Sequence, residues 1–192
     1  DISQIPEVTA LKRGVREIEK SGEPFKIKIC VTGPYTLSSL FMYRDNKIFT
    51  RLGDVISQII ENNVFCKKHV SVSLVSVDEP CFGLLDDPLI DHGSMGRENL
   101  RKAWESIFHK ASSKGAQAIL HLHNTADELF WELESLNIVE AHIGDLMYEI
   151  EKTKKRLESA DKFLKASICL TDFDKLIRDS VVRASSPKMS ET

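Results

Sequence analysis

Apolar residues recur along the chain at two spacings. Residues 25–31 (FKIKICV) follow the turn signal Gly22-Glu23-Pro24 and alternate in strand fashion, and residues 70–77 (VSVSLVSV) are rich in β-branched side chains. Shorter apolar runs at 117–122, 138–142 and 166–170 fit strands that are buried on both faces. Between them the spacing becomes helical. Residues 52–65 place Leu52, Val55, Ile56, Ile59 and Ile60 on one face, and residues 97–114 do the same with Leu100, Trp104, Ile107 and Phe108. Further helices are expected at 126–136, 145–159 and 172–182, and one at 8–20 precedes the first strand.

Five strand units, each followed by a helix, predict an α/β protein with a parallel sheet, because parallel neighbours need a crossover and a helix is the usual one. The expected architecture is a TIM-barrel-like (β/α)8 fold that is incomplete or a fragment, since a complete barrel takes about 250 residues and this chain has 192. Residues 1–182 are expected to form this partial barrel domain and residues 183–192 (RASSPKMSET) a disordered tail. An incomplete barrel would expose a parallel edge, which a second copy of the chain could cover.

Composition narrows the class of partner. The chain is 42% hydrophobic and 29% charged with a formal charge of −3, so it carries no basic field for nucleic acid. No apolar run approaches a membrane span and residues 1–20 hold no signal-peptide core, which places the chain in the cytoplasm. Cys30, Cys66, Cys81 and Cys169 are scattered without a CxxC pair, so they are expected to be free thiols, three of them buried as small apolar residues.

Candidate chemistry collects at the carboxyl ends of the strands, where parallel α/β proteins place their sites. His121 and His123 lie two apart and therefore aim to one side of an extended segment, and His142 ends the next strand, so three imidazoles can converge on a metal such as zinc. The other reading of such histidines is a set of hydrogen-bonded core or loop residues. Asp78 and Glu79 close the strand before. Two adjacent carboxylates at a strand end take a cationic partner, as in a substrate ammonium or bound cation, or else serve as capping or loop-anchoring acids. Cys81 follows Pro80 near the same rim, and His69, His92 and His109 have no comparable placement. The turn Thr32-Gly33-Pro34-Tyr35-Thr36 opens toward a helix, with Gly33 permitting close backbone approach to a ligand, but it lacks the glycine spacing and lysine of a phosphate loop.

Four segments carry a family resemblance: VTGPYTLSSLF (31–41), VSVDEPCFG (75–83), HLHNTADELFWEL (121–133) and IVEAHIGD (138–145). In this order they resemble the catalytic domain of cobalamin-independent methionine synthase, within the wider group that includes uroporphyrinogen decarboxylase and corrinoid-dependent methyltransferases. The resemblance runs from about residue 25 to residue 170, and the Thr-Gly-Pro turn and the Asp-Glu-Pro strand end are its most specific parts. It implies zinc held by a His-x-Cys pair, a later glutamate and a final cysteine. His121 matches the histidine ligand, His123 stands where the cysteine would be, and His142 falls at or near the glutamate. The last cysteine has no counterpart, Cys169 belonging to an earlier strand. Asp78 matches the aspartate that binds the amino group of homocysteine. Exchanging a thiolate and a carboxylate for two imidazoles raises the charge of a metal-loaded site by about two units.

The resemblance therefore implies a methyltransferase acting on a small-molecule thiol held at a metal by His121, His123 and His142, with Asp78 and Glu79 at the substrate. The methyl donor would be a folate or a methylated corrinoid protein. A non-catalytic relative that binds a small molecule or a partner subunit at the same rim is the alternative, followed by a decarboxylase of the uroporphyrinogen type.

Overall fold

In the computed structural model, residues 3–20, 22–84, 86–149 and 151–167 are described. Five strands form a single sheet: β1 (Phe25–Thr32), β2 (Val70–Glu79), β3 (Gln117–Leu122), β4 (Ile138–His142) and β5 (Phe163–Ser167). They lie in the order β1-β2-β3-β4-β5, and every neighbouring pair is parallel. Six α-helices accompany them among the described residues: α1 (Pro6–Lys20), α2 (Pro34–Ser38), α3 (Ile48–Asn63), α4 (Met95–Ser113), α5 (Leu146–Glu149) and α6 (Thr153–Ser159).

The α/β class and the consecutive parallel order match the pattern of the sequence, but the (β/α)8 barrel does not. A closed barrel of that kind pairs its last strand with its first around eight strands. Among the described residues five strands make one sheet, in which β1 and β5 do not pair with each other. The end of the fifth predicted strand (168–170), Cys169, the helix expected at 172–182 and the tail at 183–192 lie outside the described residues. Among the described residues no helix is long and apolar enough to cross a membrane.

One face of the sheet holds the core. Val75 and Val77 of β2, Leu120 and Leu122 of β3 and Val139 of β4 pack with Phe49, Ile56 and Ile60 of α3 and with Leu100, Trp104 and Phe108 of α4. The helical spacing read from the sequence supplies most of this layer: Ile56, Ile60, Leu100, Trp104, Ile107 and Phe108 are buried and Leu52 and Ile59 half-buried, whereas Val55, expected on the same face, is exposed. Gly53 lets α3 and α4 approach closely, since a Cβ there would lie 2.8 Å from the Ala103 Cβ.

The opposite face is polar. Thr32, Asp78, His121, Glu140 and Lys165 occupy one register row across all five strands. Lys28 of β1 reaches Glu140 of β4 at 3.3 Å, and Lys165 pairs with the other oxygen of the same carboxylate. On a flat sheet three interstrand spacings amount to about 14 Å, and side chains stand roughly perpendicular to the strands. The Lys28–Glu140 pair therefore requires the sheet to curl around its polar face.

The segment between β3 and β4 departs from the helix expected at 126–136. It holds only a 3-10 turn at Glu128–Glu132. A side chain from α4 takes N–H groups that a helix would use, the Glu105 carboxylate accepting from Glu134 N and Ser135 N, while Asp127 caps the 3-10 turn by accepting from Leu129 N. The helix expected at 145–159 is likewise divided into α5 and α6.

Candidate metal centre

His121 is the fifth residue of β3, His123 follows directly after that strand, and His142 is the last residue of β4. Because β3 and β4 are neighbours in parallel register, with His121 opposite Glu140, the carboxyl ends of the two strands bring all three rings together. Ring centroids are 5.2 Å apart for His121 and His123, 5.2 Å for His121 and His142, and 4.6 Å for His123 and His142. One nitrogen from each ring lies within 4.8 Å of the others.

The donors are suited to a metal in charge as well as position. His121 Nε2 and His142 Nδ1 are buried without a hydrogen-bond partner. A buried polar atom left unpaired is unusual in a folded protein and calls for a specific cause. Two of them facing a third imidazole are what a set of lone pairs awaiting a cation would look like. Burial, followed by the neighbouring His142 and His121, holds the conjugate acid of His123 below the usual histidine range, so this ring favours the neutral, ligating form.

Asp78 joins the cluster from β2. Its Oδ1 lies 3.5 Å from His121 Nδ1 and accepts a hydrogen bond from Ser76 Oγ at 2.9 Å. Burial pushes the Asp78 carboxyl up, but the contacts with His121 and Ser76 outweigh it and hold the group below the ordinary aspartate value. A carboxylate beside Nδ1 favours the tautomer protonated there, which leaves Nε2 as the ligating nitrogen, the arrangement by which carboxylates orient metal-binding histidines.

Glu79 is not brought to this site. Side chains alternate along a strand, and Glu79 points into the helix layer, where it is fully buried. Its carboxylate accepts from Tyr35 N at 2.9 Å, Thr36 N at 2.7 Å and Trp104 Nε1 at 2.8 Å. Burial raises its pKa and these three N–H donors oppose the rise. Glu79 is thus an anchoring acid that fixes the first turn of α2. Gly33 makes room for it: a Cβ at position 33 would sit 2.2 Å from Glu79 Oε1, so the close approach this glycine allows is to Glu79.

Among the described residues, Cys30, Cys66 and Cys81 are not part of the cluster. Cys30 and Cys66 are exposed and Cys81 is half-buried, all with free thiols, so none of these three is a buried core residue as the sequence reading expected. His69, His92 and His109 do not belong to the cluster. A cavity of about 650 Å³ between α5, α6 and β5, lined by Met147, Leu157 and Leu164 among others, includes none of the three histidines. The site is marked by converging donors, not by volume.

Sequence reasoning passed over Asp145 and Thr125. The Asp145 carboxylate accepts from Thr125 N at 3.2 Å, from Thr125 Oγ1 and from Met147 N at 2.8 Å. The only available signal was that both residues follow a cluster histidine by two or three positions.

No protein-family model matches the chain, and no curated protein matches it.

Proposed function

We propose that His121, His123 and His142 hold a divalent metal ion, zinc by the character of the donors, and that the centre serves methyl transfer to a small-molecule thiol such as homocysteine. The observation that carries this reading is the convergence of three imidazoles, two of them with a buried nitrogen that has no partner. The four segments that resemble the catalytic domain of cobalamin-independent methionine synthase favour a thiol substrate and a methyl donor of the folate or methylcorrinoid type.

Zinc with three protein ligands keeps a position open and lowers the pKa of what binds there, which is the chemistry a thiol needs to become a nucleophile at neutral pH. The chain's own residues supply the remainder. Asp78 Oδ1 orients His121, and its Oδ2 is left for the ammonium of an amino-acid substrate. Ser76 fixes that carboxylate from below. Three neutral imidazoles leave the metal's full charge in place, which favours deprotonation of the thiol over high nucleophilicity of the thiolate. Free thiols and a thiol substrate suit a reducing compartment, and the cytoplasm is the proposed location.

The test is elemental analysis of protein purified without chelator, beside His121→Ala and His123→Ala variants. In parallel, cobalt-substituted protein is titrated with homocysteine and its visible absorption followed. About one equivalent of zinc, lost in both variants, and a spectral change on adding homocysteine are expected. A wild-type protein that takes up no metal even when zinc is supplied overturns the reading in favour of a non-catalytic, small-molecule-binding relative.

A further inference from the structure

We propose that Asp145 is a positioning residue that sets the spacing of His123 and His142 by latching together the segments that follow β3 and β4. This rests on the metal-centre reading above and adds the element that holds two of its three ligands in place.

Strand pairing fixes only part of the cluster. His121 is held within the β3–β4 ladder, but His123 lies beyond the end of β3, and the last β3–β4 partners are Leu122 and Ala141. Something other than the ladder must keep the His123 ring against His142. The two residues after His123 are both tied down. Asn124 donates from Nδ2 to Gly83 O at 2.9 Å, which binds this loop to the one that follows β2. Thr125, itself buried, gives both its N–H and its hydroxyl to the Asp145 carboxylate.

Asp145 is in turn placed relative to His142. Its N–H donates to His142 O at 3.1 Å, closing a tight turn in which Gly144 adopts φ +91°. That left-handed conformation is one that glycine enters without strain. The carboxylate therefore stands at a fixed offset from His142 and grips the chain two residues beyond His123. A simple cap on α5 would need only the bond from Met147 N. The two bonds from Thr125, twenty residues earlier in the chain, are what a cap does not explain.

The experiment uses the full chain without metal and then with zinc. Thr125→Val removes the hydroxyl while leaving the cap on Met147, Thr125→Ser restores the hydroxyl, and Asp145→Ala removes the latch and the cap together. Two quantities are read: the nuclear Overhauser contact between the His123 and His142 rings in metal-free protein, and zinc affinity by competition with a chromophoric chelator. The ring contact is expected in wild type and Thr125→Ser, weakened in Thr125→Val, which keeps the main-chain bond, and strongly reduced in Asp145→Ala, with zinc affinity lowered about 10–100-fold in the last, as for other groups that orient metal ligands. A wild-type ring contact in Asp145→Ala, which loses both bonds from Thr125, overturns the latch. If the wild-type chain binds no zinc, the metal-centre reading fails while the ring contact still decides whether Asp145 sets the pair.

Discussion

Asp78 and Glu79 are neighbours in the chain whose carboxylates serve opposite faces of β2. Asp78 stands on the polar face beside His121 at 3.5 Å, and Glu79 is fully buried in the helix layer against Trp104 Nε1 at 2.8 Å. The period of two along a strand produces this division. One acid belongs to the site and the other to the fold, so their substitutions should separate in what they disturb.

For Asp78 the disturbance should be in binding. Asp78→Asn keeps the shape and removes the charge, and it is expected to weaken homocysteine binding by roughly 1.5–3 kcal/mol, the range for a hydrogen bond to a charged group. Calorimetric titration of the zinc-loaded protein measures it. Unchanged affinity would remove Asp78 Oδ2 from the substrate.

For Glu79 the disturbance should be in stability. Glu79→Gln turns a donor amide toward N–H groups that now find acceptors, leaving at least one buried donor unpaired at a cost of about 1–3 kcal/mol. Gly33→Ala should be comparably harmful, since its Cβ would meet the Glu79 carboxylate at 2.2 Å and overpacking costs about 1–3 kcal/mol. Urea unfolding of both variants tests this. A Gly33→Ala protein as stable as wild type would mean that α2 shifts freely away from Glu79.

The Arg97–Asp127 pair gives a pH dependence. Arg97 donates to both Asp127 oxygens, at 2.6 Å and 2.7 Å, tying α4 to the loop before β4. Burial raises the Asp127 pKa, but the hydrogen bonds from Arg97 and Leu129 N prevail and hold it below the ordinary aspartate value. A group whose pKa is depressed on folding contributes stability that is present above its unfolded pKa of about 3.9 and is lost as the pH falls through the folded value. Asp127→Asn should therefore cost about 1.5–3 kcal/mol near pH 7. The gap between wild type and variant should narrow below about pH 4. A gap that stays constant from pH 6 to pH 3 in urea unfolding would contradict this assignment.

Much of this arrangement is legible in the chain. The β-branched run at 70–77 and the helical spacing of 52–65 and 97–114 mark β2, α3 and α4 directly. Glu79 shares the parity of Val75 and Val77, but β2 changes phase between Val72 and Val75, where its pairing with β1 slips by one residue, so spacing alone does not assign the two carboxylates. Convergence of His121, His123 and His142 follows from period two and strand adjacency. What spacing does not carry is closure of the sheet, because periodicity is local and the pairing of first and last strands is not. Nor does it carry the loop at 126–136, where apolar period suggests a helix and Glu105 removes the N–H groups to build one. The Thr125–Asp145 contact joins residues twenty apart through two irregular loops, beyond the reach of any repeat.

The metal should also appear in the energetics of folding. A ligand that binds only the folded state stabilises it by an amount set by its concentration over Kd, about 2.7 kcal/mol at a hundredfold excess. For a domain of this size that corresponds to a rise in Tm of roughly 5–11 °C. Adding a chelator should return the Tm to the metal-free value. His142→Leu separates the site from the fold more sharply. It removes a buried Nδ1 that has no partner and replaces it with apolar volume, so the metal-free variant should be at least as stable as metal-free wild type, because an unsatisfied buried group is itself destabilising. The same variant should lose the zinc-dependent rise in Tm. Calorimetric scans of both proteins with zinc and with chelator decide the matter. A metal-free His142→Leu protein that melts several degrees below metal-free wild type would mean that His142 packs as a structural residue, and a variant that keeps the zinc-dependent rise would remove His142 from the ligand set.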